Sequence, residues 1–340
     1  MIIRAKAPFR IAFAGGGTDV PPYCDERGGV VFNATIDQYA YVTVTPRDDD
    51  QFEVESLDYD VIARFGESDL TYDGELDLVK ATIKNMKARD KLIGKGANIF
   101  IHSDVPAGSG LGSSSTVCVA LVGALAEYYR IPYTSYEVAQ LAYHIEREDL
   151  GIKGGLQDQY AATFGGFNLM EFGANLRVVV NPLRLKQEIL NELHYHLLLV
   201  YTGRSRLSDR ILDSQIDRYV QSPGEVVPHY EKLKEMALKM KDAVITGDLE
   251  NFGLLLEEAW QNKKRVEEKI SNPRIEEIHD AALANGAVGG RILGAGGGGH
   301  MLFYVDVRKK RDCAKALLEL GCQVKNFQFE HLGLQTWIQK

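Results

Sequence analysis

The sequence predicts an α+β protein in two parts, with helices packed on mixed or antiparallel sheets. Three observations predict it. At 340 residues the chain has the length of two ordinary domains. Its first part is rich in β-branched and aromatic runs, whereas its second part places four helical patterns in a row before returning to strands. Between them, around residues 182–193, the pattern weakens, which divides the chain into 1–185 and 186–340.

In the first part, residues 9–14, 30–33, 39–45 and 52–55 read as strands, with Gly28-Gly29 and Arg47-Asp-Asp-Asp50 as turns. Residues 76–90 set Leu76, Val79, Ile83 and Met86 at helical spacing. The run Ala97-Asn-Ile-Phe-Ile-His102 reads as a strand, and a helix follows over 114–129. A further helix opens at Tyr133-Thr-Ser-Tyr136, with Thr134 or Ser135 as its N-cap, and runs to about residue 148. Residues 167–170 and 176–180 read as a hairpin. The second part starts with a strand at 195–201 and continues with helices at 208–219, 228–246, 249–270 and 273–285. Strands at 288–293 and 301–305, a helix at 311–320 and a strand at 324–329 close the chain. There are no repeats and no low-complexity segment.

Composition excludes several classes. Hydrophobic residues at 45% and charged residues at 25% supply real cores and an ordinary soluble surface. With 39 basic against 47 acidic residues the net charge is −8, so no nucleic-acid partner is expected. No apolar run approaches membrane-spanning length, and Met1-Ile-Ile-Arg-Ala-Lys6 is not a signal peptide, so no membrane partner is expected either. The four cysteines, Cys24, Cys118, Cys313 and Cys322, lack metal or redox spacing. A reduced cytoplasmic enzyme is the expectation. His194-x-His196 reads as a structural pair flanking or entering a strand.

The segment Pro106-Ala-Gly-Ser-Gly-Leu-Gly-Ser-Ser-Ser115 joins a strand to a helix. Its glycines let the backbone approach a ligand, and the serines offer hydroxyls and free amides at a helix start, a combination that holds phosphate. It is not a Walker loop, because no lysine follows Gly112. It is not a dinucleotide fingerprint, because Ser113 stands where a third glycine is needed. Gly294-Ala-Gly-Gly-Gly-Gly299 matches that fingerprint literally but leads into His300-Met-Leu-Phe-Tyr-Val305, which reads as a strand rather than a helix.

The loop fits Pro-x-x-x-Gly-Leu-Gly-Ser-Ser and so resembles the central motif of the GHMP kinases. Ala7-Pro-Phe-Arg10 with Gly15-Gly-Gly-Thr-Asp19 resembles their first motif, and Leu293-Gly-Ala-Gly-Gly-Gly-Gly299 their third. The resemblance covers nearly the whole chain. It implies a two-domain GHMP kinase fold, with a ribosomal protein S5 domain 2-like N-terminal domain and a ferredoxin-like C-terminal α/β sandwich. It further implies a carbohydrate kinase with ATP and Mg²⁺ as cofactors. Pro106, Gly108, Ser109, Gly110, Leu111, Gly112, Ser113, Ser114 and Ser115 would then hold the nucleotide.

In Gly154-Gly-Leu-Gln-Asp-Gln-Tyr160 the resemblance makes Asp158 the catalytic carboxylate that accepts a hydrogen bond, and the proton, from the acceptor hydroxyl. Asp158 as a helix cap is the plainer alternative. Arg10 would pair with that carboxylate and stabilise transition-state charge. Ser114 and Glu146 would hold the metal, with Glu148 and Asp149 as competitors. Gly16, Gly17, Thr18 and Asp19, together with Gly296, Gly297 and Gly298, would face the substrate. Gly16 and Gly17 replace a Glu-His pair that grips galactose in galactokinases, which points to a differently shaped sugar and to room for a longer one.

Within the superfamily the chain resembles the bacterial D-glycero-D-manno-heptose 7-phosphate kinases, through Ala14-Gly-Gly-Gly-Thr-Asp-Val20, Asn33-Ala-Thr-Ile-Asp37 and Tyr201-Thr-Gly203 among other segments. That likeness implies phosphorylation of the anomeric hydroxyl to give a 1,7-bisphosphate. The existing phosphate needs cationic or amide partners, for which Arg204, Arg206, Arg210 and Lys153 are candidates and Arg206 is preferred. The partners expected are therefore a small sugar phosphate and ATP, with a homodimer left open. The alternatives are a sugar-1-kinase acting on L-fucose or a hexose, and a catalytically silent binding protein of the same fold.

Overall fold

The computed structural model describes residues 1–57, 61–66, 69–90, 96–203 and 209–340. Its elements in chain order begin with β1 (Ile2–Ala14), α1 (Tyr23–Arg27), β2 (Gly29–Pro46), β3 (Phe52–Ser56), β4 (Val61–Phe65), α2 (Asp77–Asp90) and β5 (Ala97–Ser103). They continue with α3 (Ser113–Tyr129), α4 (Ser135–Tyr143, prolonged by a π-helical stretch His144–Asp149), α5 (Gln157–Phe164), β6 (Phe167–Gly173) and β7 (Arg177–Pro182). The rest comprises α6 (Gln187–His196), β8 (Leu197–Tyr201), α7 (Asp209–Gln221), α8 (Pro223–Thr246), α9 (Leu249–Val266) and a 3₁₀ turn Glu268–Ile270. It ends with α10 (Pro273–Ala284), β9 (Ala287–Ile292), β10 (His300–Val305), α11 (Lys310–Glu319), β11 (Gln323–Lys325), β12 (Phe329–Glu330) and β13 (Gln335–Gln339).

Two sheets organise these elements. The larger follows the order β13-β1-β2-β5-β3-β4, with β6 and β12 also on β2 and β7 on β6. The smaller is antiparallel, in the order β11-β8-β10-β9. β1 is buried without interruption from Ala7 to Ala14 because helices cover it as well as strands flank it. Two strands expected at 30–33 and 39–45 are one bent strand, β2. Its pairing with β1 skips Asp37 and Gln38 between Phe9↔Ile36 and Pro8↔Tyr39, so a polar bulge read as a break. The bend lets β2 pair with β6 over one half and β5 over the other.

Helix α4 is capped as expected: Thr134 accepts from the Glu137 amide, and Glu137 returns a bond to the Thr134 amide. Helix α6 was not expected, since only Leu190 and Leu193 of its ten residues are buried, and it displaces the start of the expected strand from 195 to Leu197. His194 and His196 thus lie at a helix end, where they bond the carbonyls of Phe327 and Val305. The expected strand at 324–329 is two strands in two sheets, β11 and β12. After β11 the chain returns to the larger sheet, where β12 pairs with β2 and β13 with β1. The part drawn as 186–340 therefore gives its last strands to the first. All four cysteines are free and buried.

Candidate active site

Three loops converge on one cleft: the turn after β1, the glycine loop between β5 and α3, and the glycine loop between β9 and β10. Gly112 precedes α3 with φ 81°, and no side chain caps that helix, so its leading amides remain available where Gly112, Ser113, Ser114 and Ser115 line the cleft. The two glycine loops interlock. A Cβ on Gly110 (φ +82°) would lie 2.8 Å from the Leu293 carbonyl oxygen, so only glycine permits this approach. The Ser109 carbonyl accepts from the His300 amide at 2.9 Å and from His300 Nδ1 at 2.8 Å, which joins the smaller sheet to the phosphate loop. Burial pushes the His300 imidazole down to about 4, and a neutral ring suits that carbonyl contact.

Arg10, on β1, meets Asp158, in the first turn of α5, as a bidentate pair: Nε donates to Oδ1 at 2.7 Å and Nη2 to Oδ2 at 3.0 Å. Its Nη1 donates to the Gly110 carbonyl at 2.6 Å, tying the pair to the phosphate loop. Asp158 makes no capping bond to α5, so its carboxylate is spent on Arg10 and the cleft rather than on the helix end.

Ser114 Oγ donates to Glu146 Oε1 at 2.6 Å, and Gln159 Nε2 donates to Glu146 Oε2 at 2.5 Å. Glu146 is fully buried and lies in the π-helical stretch, a widening often found at functional sites. Glu148 turns away to His144, at 2.7 Å, and Asp149 to His144 and Asn85. A serine hydroxyl and a carboxylate side by side in a phosphate cleft are the hard oxygens that suit Mg²⁺, which keeps several waters and phosphate oxygens besides. Arg147 spends its Nη groups on the carbonyls of Ile152, Lys153 and Gly155 and on Ser115 Oγ, so it shapes the loop ahead of α5.

Asp19 has Oδ1 accepting from the Gly17 amide at 2.9 Å and from Gln157 Nε2 at 3.1 Å, while Oδ2 accepts from the Gln157 amide at 3.1 Å. It lines the cleft and also fixes its wall. Two further cations line the cleft that sequence reasoning missed. Lys263, on α9, donates to the Gly16 carbonyl at 2.8 Å and to Gln215 Oε1 at 3.2 Å. Arg291, on β9, donates to the Phe13 carbonyl at 2.8 Å, and burial followed by the nearby Arg10 charge lowers it to about 10. Lys263 looks like a surface charge in Lys263-Lys264-Arg265. Its signal is its register: it follows Leu256, Ala259 and Trp260 by seven, four and three residues, on the buried face of α9.

Most expected site residues meet in this cleft, including Arg10, Gly16, Gly17, Asp19, Gly108, Ser109, Gly110, Asp158, Gly296 and Gly298. Four do not line it. Thr18 is buried, and its hydroxyl donates to the Gly15 carbonyl, because closing that turn consumes it. The Gly297 amide donates to the Ile270 carbonyl. Pro106 and Leu111 line a neighbouring cavity with Tyr201 and Lys325. Among the phosphate-anchoring candidates, Lys153 lines the cleft and Arg210 does not, and Arg204 and Arg206 lie outside the described residues.

A phosphate loop at a helix N-terminus, an Arg–Asp pair against it and a Ser–Glu oxygen pair beside it define a phosphotransferase site. Family comparison agrees: residues 77–166 match the GHMP kinases N terminal domain and residues 240–320 the GHMP kinases C terminal domain. The chain belongs to the GHMP kinases and is a phosphotransferase of the sugar-kinase type. It is 42% identical over 338 residues, 98% of each chain, to the D-glycero-alpha-D-manno-heptose 7-phosphate kinase of Campylobacter jejuni subsp. jejuni serotype O:2. The structure of a D-glycero-D-manno-heptose 1-phosphate kinase from Bacteroides thetaiotaomicron superposes with a TM-score of 0.85 at 36% identity, covering 99% of each chain. Lactococcus lactis galactokinase shares the fold at 21% identity, with a TM-score of 0.79 over 99% of this chain and 95% of that one.

Proposed function

We propose that this kinase transfers the γ-phosphate of ATP to the anomeric hydroxyl of D-glycero-D-manno-heptose 7-phosphate, giving the 1,7-bisphosphate. The observation that carries the reading is the 42% identity, over 98% of both chains, to a kinase so named. The amides of Ser113, Ser114 and Ser115 hold the nucleotide phosphates at the start of α3. Asp158 accepts the acceptor hydroxyl's hydrogen bond and takes its proton as the oxygen attacks, while Arg10 fixes that carboxylate and faces the developing charge. Ser114 and Glu146 would hold Mg²⁺, which when bound supplies charge that offsets the phosphate oxygens. Lys153, exposed at the cleft and within reach of a ligand there, anchors the existing phosphate. The reaction belongs to the cytoplasm, where its ATP is found.

The Bacteroides relative favours a second reading, in which the substrate is the heptose 1-phosphate. Mg²⁺-dependent ATP consumption across heptose 7-phosphate, heptose 1-phosphate, free mannoheptose, L-fucose, galactose, mannose and mevalonate separates these. Turnover confined to the 7-phosphate supports the first reading, and turnover of the 1-phosphate instead replaces it. Turnover of a free sugar alone leaves a sugar-1-kinase, and silence throughout leaves a binding protein.

A further inference from the structure

The glycine pair at 16–17 opens less space than its missing side chains suggest. A Cβ on Gly17 would stand 2.6 Å from Lys263 Nζ, so the lysine of α9 occupies the room over that residue. Over Gly16 the nearest group is Gln157 Nε2, at 3.5 Å, and that side stays open to the cleft. Lys263 is 2% exposed, and among the described residues it forms no ion pair. Its two partners, the Gly16 carbonyl and Gln215 Oε1, are neutral. An ammonium carries three N–H donors, so one is left. The charged groups acting on it are Arg291 of β9 and Asp19, whose oxygens already serve Gly17 and Gln157. Also flanking Gly16, Gln157 Oε1 is buried without a hydrogen-bond partner, its amide nitrogen being spent on Asp19.

A buried cation without a carboxylate at ion-pair distance and an orphaned carbonyl oxygen are each costly, and each is relieved by a ligand group of the right kind. A sugar hydroxyl is that group for both, since it accepts one hydrogen bond and donates another. We propose that Lys263 Nζ and Gln157 Oε1 grip one hydroxyl of the acceptor sugar beside Gly16, with Lys263 donating and Gln157 accepting. The second part of the chain thereby reads the acceptor directly, and Lys263 sets specificity. This rests on the sugar-kinase reading above.

The test compares Lys263→Met and Lys263→Gln with wild type on whichever sugar of the panel the wild type uses best, at pH 6, where Lys263 is protonated although burial lowers its pKa to about 7. A preference for a sugar other than heptose phosphate overturns the preceding reading, yet the comparison still decides Lys263. The expected result is an acceptor KM raised about ten- to a hundredfold in Lys263→Met, less in Lys263→Gln, with the ATP KM within about twofold, as for loss of one charged hydrogen bond. Circular dichroism melts and the ATP KM establish that both variants fold. An unchanged acceptor KM, or a parallel rise in both KM values, overturns the proposal.

Discussion

Asp158 and Arg10 form a bidentate pair whose third arm holds Gly110, so a neutral residue at 158 removes the proposed proton acceptor while leaving the loop intact. Asp158→Asn is expected to lower kcat by about 10²–10⁴-fold with little change in the ATP KM, which steady-state kinetics will show. Lys263 predicts a pH-dependent stability. Burial, then Arg291, lowers its pKa from 10.5 to about 7, so between those values protons favour the unfolded chain. The cost is full below pH 7 and fades as the pH rises toward 10.5. Lys263→Met should therefore melt above wild type at pH 6–7, with the gap narrowing by pH 10; a gap independent of pH would contradict this. His300 titrates in the other window. Its pKa falls from 6.5 to about 4, so stability is lost as pH drops through that interval, and His300→Asn should make that loss shallower in melts taken across it.

Among the elements, the loop between β5 and α3 was the most legible, because Gly108, Gly110 and Gly112 all adopt positive φ and a strand and a helix flank them as the sequence implies. Gly110→Ala, whose Cβ would meet the Leu293 carbonyl, should cost on the order of 1–3 kcal/mol and raise the ATP KM, read by denaturant melts and kinetics together. By contrast Thr134→Ala breaks the capping box of α4 and should cost about 1 kcal/mol while leaving kcat unchanged. Elements that were missed lack a pattern of their own. β13 is largely exposed and shows no alternation of apolar and polar residues, and α6 buries only two side chains. The choice between Glu146 and Glu148 was equally hidden, because the π-helical stretch shifts the face that each residue presents.

At the scale of the whole molecule, the chain's end clasps its beginning. β13 pairs with β1 from Ile2 to Lys6, and Leu334 packs on Gly123 of α3, where a Cβ would approach its Cδ2 to 2.6 Å. Ending the chain at Gly333 should expose the β1 edge, lower the melting temperature and promote aggregation, seen by light scattering. Such long-range pairing cannot be read from local periodicity. For the same reason Lys263 and Arg291 were invisible as site residues: they reach the cleft only once α9 stands against the turn after β1 and β9 against β1 itself. Motifs that act through their own backbone, such as 106–115, carry their meaning locally, whereas side chains that act across 247 or 278 positions do not.

The most direct test of the account is ³¹P NMR of the product made from D-glycero-D-manno-heptose 7-phosphate, ATP and Mg²⁺, with Asp158→Asn run in parallel. The account predicts a new anomeric phosphate resonance beside the retained 7-phosphate, formed by wild type and nearly absent with the variant. Phosphate appearing at any other position, or equal product from the variant, would contradict it.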